Sequence, residues 1–354
     1  MPRWRQQFLA WRDACSQAGA QFAQRALCPR CVLRLQGGQL GRRWRSLGAE
    51  RGVAVVTALL LTTLAVTIVA GLFWQQQVQV RSIENQRLQL QKQWILRGAL
   101  DWARLILRED AKYSNIDALD EPWAAPLSET RLDQYVENSR GQSDASDAAL
   151  SGNIVDAQSR LNLTNIAPNG VINPGEVLAF SRLLASQRIE PGLAQKTADL
   201  MRASAPPPAT SPASPAPGAQ QLALTQVDDL LAVPGFTSEH VERLRQFVVV
   251  LPRATPVNVN TASAEVISAK LENMTLGDAN ALVNARQNAS FRDLADVARR
   301  MEPSATGAPA SAFSIATNFF LVNGRVRMAR ASLDVEALIE RNGARTKLIW
   351  VREY

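Results

Sequence analysis

The chain has 354 residues, 46% of them apolar, enough for one large or two ordinary domains with a real core, so disorder throughout is ruled out. Its formal net charge of +7 sits at one end: residues 1–52 hold 10 Arg against 2 acids, and the remaining 29 basic and 30 acidic side chains leave the body at −1. Nucleic-acid affinity spread over the whole surface is disfavoured, because it needs Lys and Arg lining the contact face.

The first 52 residues also hold all three cysteines, Cys15, Cys28 and Cys31. Cys28-Pro-Arg-Cys31 is one C-x-x-C pair, and no second pair completes four-coordinate zinc. The body beyond residue 52 can therefore form neither a disulfide nor a thiolate metal site. The single histidine, His240, lies between Glu239 and Glu242 on a predicted helix and reads as a solvated surface residue. Ser-His-Asp or two-metal chemistry does not assemble from this inventory.

From Val53 to Trp74 the sequence VAVVTALLLTTLAVTIVAGLFW runs 22 residues without a charge. At about 1.5 Å per residue it crosses a bilayer core of roughly 30 Å. Arg42, Arg43, Arg45 and Arg51 precede it and the stretch to Val80 is uncharged, so the positive-inside rule places the N-terminus in the cytoplasm. Residues 75–109 contain no Pro and one Gly, and Leu88, Ile95, Ala99, Trp102 and Ile106 recur at three-, four- or seven-residue spacing. The helix is expected to continue to about Arg108 with that stripe packed on a body.

Residues 113–160 mix aromatics, turn residues and acids, with a short strand expected over Gly152 to Asp156. Asp144, Asp147 and Asp156 are the candidate oxygen ligands for calcium, which needs six or more oxygens; solvated loop acids are the alternative. Residues 171–300 read as helical. Asn173-Pro174-Gly175 opens a helix through Leu184, Pro191 opens another through Met201, and Thr225-Gln-Val-Asp-Asp begins a third. Between the second and third lies a linker, 203–220, with six prolines and no core residues.

Pro256-Val-Asn-Val-Asn-Thr-Ala-Ser-Ala-Glu, continuing through Arg286 to Val297, resembles a helix-hairpin-helix unit. Its turn, Glu272-Asn-Met-Thr-Leu-Gly277, lacks the first glycine and carries a carboxylate, which damages an anion cradle. Leu230-Leu-Ala-Val-Pro-Gly235 looks like a second partial copy. Strands are expected at Ile315 to Val322, Arg325 to Leu338 and Thr346 to Arg352, with Asn342-Gly343 as a two-residue hairpin turn.

Together these pieces carry a family resemblance. Arg51-Gly52 before the apolar run resembles the prepilin-peptidase site of type IV pilin-like precursors, which implies cleavage after Gly52 and methylation of Val53. GVAVVTALLLTTLAVTIVAG, QKQWILRGALDWARLILRED, LNLTNI, LPRATPVNVNTASAEVIS and LIWVREY, in that order over most of residues 50–354, are similar to the protein K family of minor pseudopilins of type II secretion. Most pilins carry Glu at the fifth mature position; here it is Thr57, and protein K is similar in lacking that Glu. A carboxylate in the bilayer costs several kcal/mol without a partner, so a subunit with none above it gains nothing from one. The other reading of Thr57 is a tolerated helix residue bonded back to its own turn.

The resemblance implies an α+β fold. A long transmembrane and periplasmic helix packs on a small antiparallel pilin-like sheet, split by a large all-helical insert of helix-hairpin-helix or SAM-like type. The boundaries are a basic leader over 1–52, long for the family, which a start assigned too early would explain; the span, 53–74; its continuation, 75–110; the first part of the pilin-like domain, 111–165; the insert, 166–305; and closing strands, 306–354. The implied role is a non-enzymatic inner-membrane subunit at the pseudopilus tip, with its C-terminal domain in the periplasm. Its expected partners are the minor pseudopilins I and J and prepilin peptidase, with secreted substrate or the secretin as further contacts. No nucleic acid and no cofactor other than calcium is expected. The competing classes are a membrane-anchored helix-hairpin-helix DNA-uptake protein, an anchored periplasmic binding protein, and a peptidase.

Overall fold

A computed structural model describes residues 51–131, 148–205, 222–300, 312–328 and 331–354. The three cysteines, most of the leader, Asp144 and Asp147, and residues 206–220 of the proline-rich linker lie outside the described residues. Contacts divide the chain after Phe73.

Helix α1, Arg51–Tyr113, covers both the apolar run and the segment beyond it. Among the described residues it is the one helix long and apolar enough to cross a membrane, and its apolar stretch is exposed.

Beyond Phe73 the strands are β1, Leu127–Arg131; β2, Ala148–Asp156; β3, Leu161–Asn162; β4, Val248–Val249; β5, Val257–Asn258; β6, Phe313–Ser314; β7, Phe319–Met328; β8, Ala331–Asn342; and β9, Arg345–Glu353. The longer ones build one antiparallel sheet in the order β1-β2-β7-β8-β9. The described chain between β2 and β7, which are neighbours in that sheet, carries the remaining α-helices. It contains α2, Pro174–Ser186; α3, Leu193–Ser204; α4, Ser238–Leu244; α5, Ala264–Lys270; α6, Leu276–Asn288; and α7, Leu294–Arg300. Two short parallel bridges, β3 on β4 and β5 on β6, brace it.

Three observed boundaries differ from expectation for physical reasons. The expectation of separate strands on either side of Asn323-Gly324 fails: β7 passes straight through because β2 and β8 supply a ladder on both sides, and Arg325 to Leu338, expected as one strand, is divided between β7 and β8. The final turn is Gly343-Ala344, one residue later than expected, since Asn342 still pairs with Arg345. Gly343 has φ +55° and Ala344 is not in the positive-φ region, the pattern of a glycine-first hairpin turn. The expected third helix is instead a six-residue 3-10 helix, Val227–Ala232. Pro234 favours an extended Val233, whose ψ is 120°, and stops it there.

The strand period of two sorts the apolar residues. Phe320, Val322, Val326 and Met328 of β7, with Val335, Ala337 and Ile339 of β8, share a core with α1. Phe319, Leu321 and Leu338 face the other way and share a core with Val249 and Leu251. Trp123 closes the first core, edge-on to Phe320 at 5.2 Å and fully buried. The helical segment has its own core, including Phe180, Leu184, Leu193, Leu230, Leu244 and Phe291.

Candidate functional site

Chemistry-bearing residues fall in three places: the apolar start of α1, its packed second half, and a polar junction at its C-terminal end. Gly52 and Val53 stand in the first turn of α1, and Val53 is exposed. Thr57 donates through Oγ1 to the Ala54 carbonyl at 3.0 Å. Thr62, Thr63 and Thr67 make the same local bond, to Leu59, Leu60 and Thr63. These hydroxyls are thus satisfied within the helix, as a lipid environment requires.

In the second half the deepest row is Leu96, Leu100, Ala103 and Leu107, at four-, three- and four-residue spacing. Burying each leucine contributes about 1.5–3 kcal/mol. Leu88, Ile95, Ala99 and Ile106 flank that row, half-buried against it. Trp102 lies further round, 49% exposed. The centre of the contact is therefore displaced by one residue from the expected stripe.

At the end of α1 the Arg341 guanidinium from β8 lies buried among carboxylates. It donates to Asp110 Oδ2 at 2.8 Å and also pairs with Asp117 Oδ1. Glu121 adds a third carboxylate, and the three groups lie within 4.8 Å of one another. Glu121 Oε2 accepts the Trp123 indole N–H at 2.8 Å and the Ala118 amide at 3.0 Å. Asp117 Oδ2 accepts the Thr317 amide at 2.7 Å, and Arg341 covers the Phe320 ring at 4.6 Å. Burial, reinforced by the Glu121 charge, pushes Asp110 up to about 6, and burial raises Asp117 against the pull of Arg341. Sequence reasoning missed this junction: its members lie between positions 110 and 341, and no local spacing links them.

Asp156 is the one member of the expected calcium set among the described residues. It is fully buried, and protein donors occupy both of its oxygens: the Gln158 amide at 2.7 Å on Oδ1, and Asn258 Nδ2 at 2.8 Å and Thr261 Oγ1 at 2.6 Å on Oδ2. Burial pushes it up to about 6. Asn258 Nδ2 also donates to the Asp117 carbonyl at 2.9 Å, tying the helical segment to the loop after α1.

The asparagines of the two sequence motifs act as backbone surrogates. Asn165 receives the Thr255 amide at 2.9 Å and returns a bond to its carbonyl at 2.7 Å. Asn260 does the same with Phe291, at 2.8 and 3.0 Å. Asn162 accepts from the Leu251 amide and donates to the Arg253 carbonyl. LNLTNI thus joins the stretch from Leu251 to Thr255, while Asn260 ties the second motif to Phe291.

The helix-hairpin-helix turn carries its own anion. Thr275 caps α6, and the Asp278 carboxylate returns to the Thr275 amide at 3.0 Å and its hydroxyl at 2.7 Å. Ahead of the second partial copy, Asp229 closes on the Thr225 and Gln226 amides at 2.7 and 3.0 Å, capping the start of the 3-10 helix and not the Val233 to Gly235 turn. His240 is half-buried, edge-on to Phe236.

Two family profiles match the chain, over residues 159–253 and 257–316, and both describe type II secretion system protein K. The chain is 28% identical over 298 residues to a type II secretion system protein K of Pseudomonas aeruginosa, covering 79% of this chain and 85% of that protein. Its fold is similar to a chain in the crystal structure of the GspK-GspI-GspJ complex of the enterotoxigenic Escherichia coli type 2 secretion system. That match has a TM-score of 0.61 and 18% identity, over 77% of this chain and 99% of the other.

Proposed function

We propose a role whose premise is that this chain belongs to the type II secretion system protein K family, non-enzymatic pseudopilins of protein secretion: it is a minor pseudopilin at the tip of the pseudopilus. In this reading, the first half of α1 anchors the precursor in the inner membrane, with the N-terminus cytoplasmic and the body periplasmic. Prepilin peptidase cuts after Gly52, and Val53 becomes the methylated terminus.

The observation that carries the reading is that α1 leaves a wholly exposed apolar first half and packs its second half on a sheet. Minor pseudopilins I and J are the proposed partners, because the chain of similar fold belongs to a GspK-GspI-GspJ complex. Thr57 supports a tip position, since its hydroxyl is satisfied locally and it offers no carboxylate to a subunit above. The helical segment is proposed to be an insert between β2 and β7 that crowns the tip and blocks further addition. The self-capped turn at Asp278 weighs against the DNA-uptake reading, because an amide that would meet a phosphate already holds a carboxylate.

Mass spectrometry of the mature N-terminus tests this. A chain beginning at N-methylated Val53 is expected, and an intact Met1 terminus in envelope fractions would overturn it.

A further inference from the structure

The core between α1 and the sheet is incompletely filled. A cleft of about 300 Å³ opens there, lined by Trp102, Ile106, Trp123 and Leu127 and floored by Gly152 and Gly324. Among the described residues, none that lines it is charged. Its volume is at the small end of the ligand-pocket range, roughly 300–1,000 Å³.

The two glycines face each other across β2 and β7 and leave the space beneath α1 empty. They differ in what they allow. A Cβ on Gly152 would stand 2.5 Å from the Asn323 carbonyl oxygen, so glycine is required there. A Cβ on Gly324 would meet nothing nearer than Leu96 Cδ1 at 3.8 Å, and its φ is not positive. Position 324 thus has room for a side chain inside a central strand, where glycine weakens the fold and often marks a close approach by another group.

The rim leads outward. Trp102 lines the cleft and is 49% exposed. Leu90, Trp94 and Leu105 form an exposed apolar row on α1 at helical spacing, with open space around Gly98 between them. A neighbour that follows α1 out of a membrane is itself a helix, because lipid admits only helices or closed barrels.

We propose that this cleft is a socket for one large apolar side chain on the helix of a neighbouring minor pseudopilin, and that Gly324 holds it open at a cost to the fold's own stability. This rests on the assembly role proposed above.

The test uses the full chain in detergent, co-expressed with minor pseudopilins I and J, and compares wild type, Gly324→Val, Trp102→Ala and Trp94→Ala. Gly324→Val is expected to raise the thermal midpoint by about 2 °C while lowering recovered partner about tenfold. Wild-type recovery by Gly324→Val, with Trp94→Ala losing partner, overturns the socket and leaves the assembly role standing. Failure of wild type to recover either partner overturns both. If Gly324→Val does not fold, Trp102→Ala decides: reduced recovery at an unchanged midpoint supports the socket, and unchanged recovery overturns it.

Discussion

The junction around Arg341 gathers one cation and three carboxylates from α1, the loop after it and β8, whereas the joints at Asn162, Asn165 and Asn260 use neutral amides matched to backbone groups. Both are buried and both connect distant parts of the chain. An amide that gives one bond and takes one back is complete at any pH. A guanidinium among carboxylates is complete only while the charges balance, so its stability depends on a single residue and on the proton concentration.

The largest break in that comparison is expected from Arg341→Met. Asp110 and Asp117 then lose their cation in a buried site, at a cost of about 3–5 kcal/mol. Urea denaturation of the purified chain would show this as a large drop in midpoint at neutral pH, and a loss below about 1 kcal/mol would contradict the picture.

Changing pH sharpens the contrast. Asp110 and Asp156 both stand near 6, above the ordinary 3.8, so folding favours their protonated forms. Their stabilising contribution is full below about pH 4, declines as pH rises through about 6 and is gone above it. For Asp156, the more deeply buried, the difference amounts to about 3 kcal/mol. Denaturation midpoints between about pH 4 and pH 7.5 should fall as pH rises, and Asp156→Asn should flatten the slope even though its NH2 replaces an acceptor oxygen and so loses at least one of the three accepted bonds.

Asn165→Ala removes both partners of the Thr255 backbone, for an expected loss of about 2 kcal/mol. The loss should be the same at about pH 5 and about pH 7.5, because neither amide titrates there. A pH-dependent effect would mean that the two sets of joints are not independent.

How far the fold was readable from sequence follows the range of the forces. α1 and its apolar half are written in local hydropathy, and Phe319 to Val322 reads as strand because both faces of β7 are covered there. The break expected after Val322 does not occur, because strand preference is local and the flanking ladders are not. Asp156 looks like any loop acid until Asn258 and Thr261 arrive from about a hundred residues away. The N-x-N-T run is visible as a helix start, but its second task, binding the segment to the loop after α1, depends on Asp117. Arg341 gives no local sign at all.

The sheet order has a kinetic consequence. β7, β8 and β9 follow one another as a meander and can pair early, but β2 must find β7 across the whole helical segment, and Gln158 meets Asn318 over a separation of 160 residues. Closing so long a loop in an unfolded chain is slow. If the helical segment folds first, its two parallel bridges hold Leu161 beside Val248 and Val257 beside Phe313, so the distance left to close is short. That segment then acts as a clamp on the search, and its folding sets when the central ladder can form.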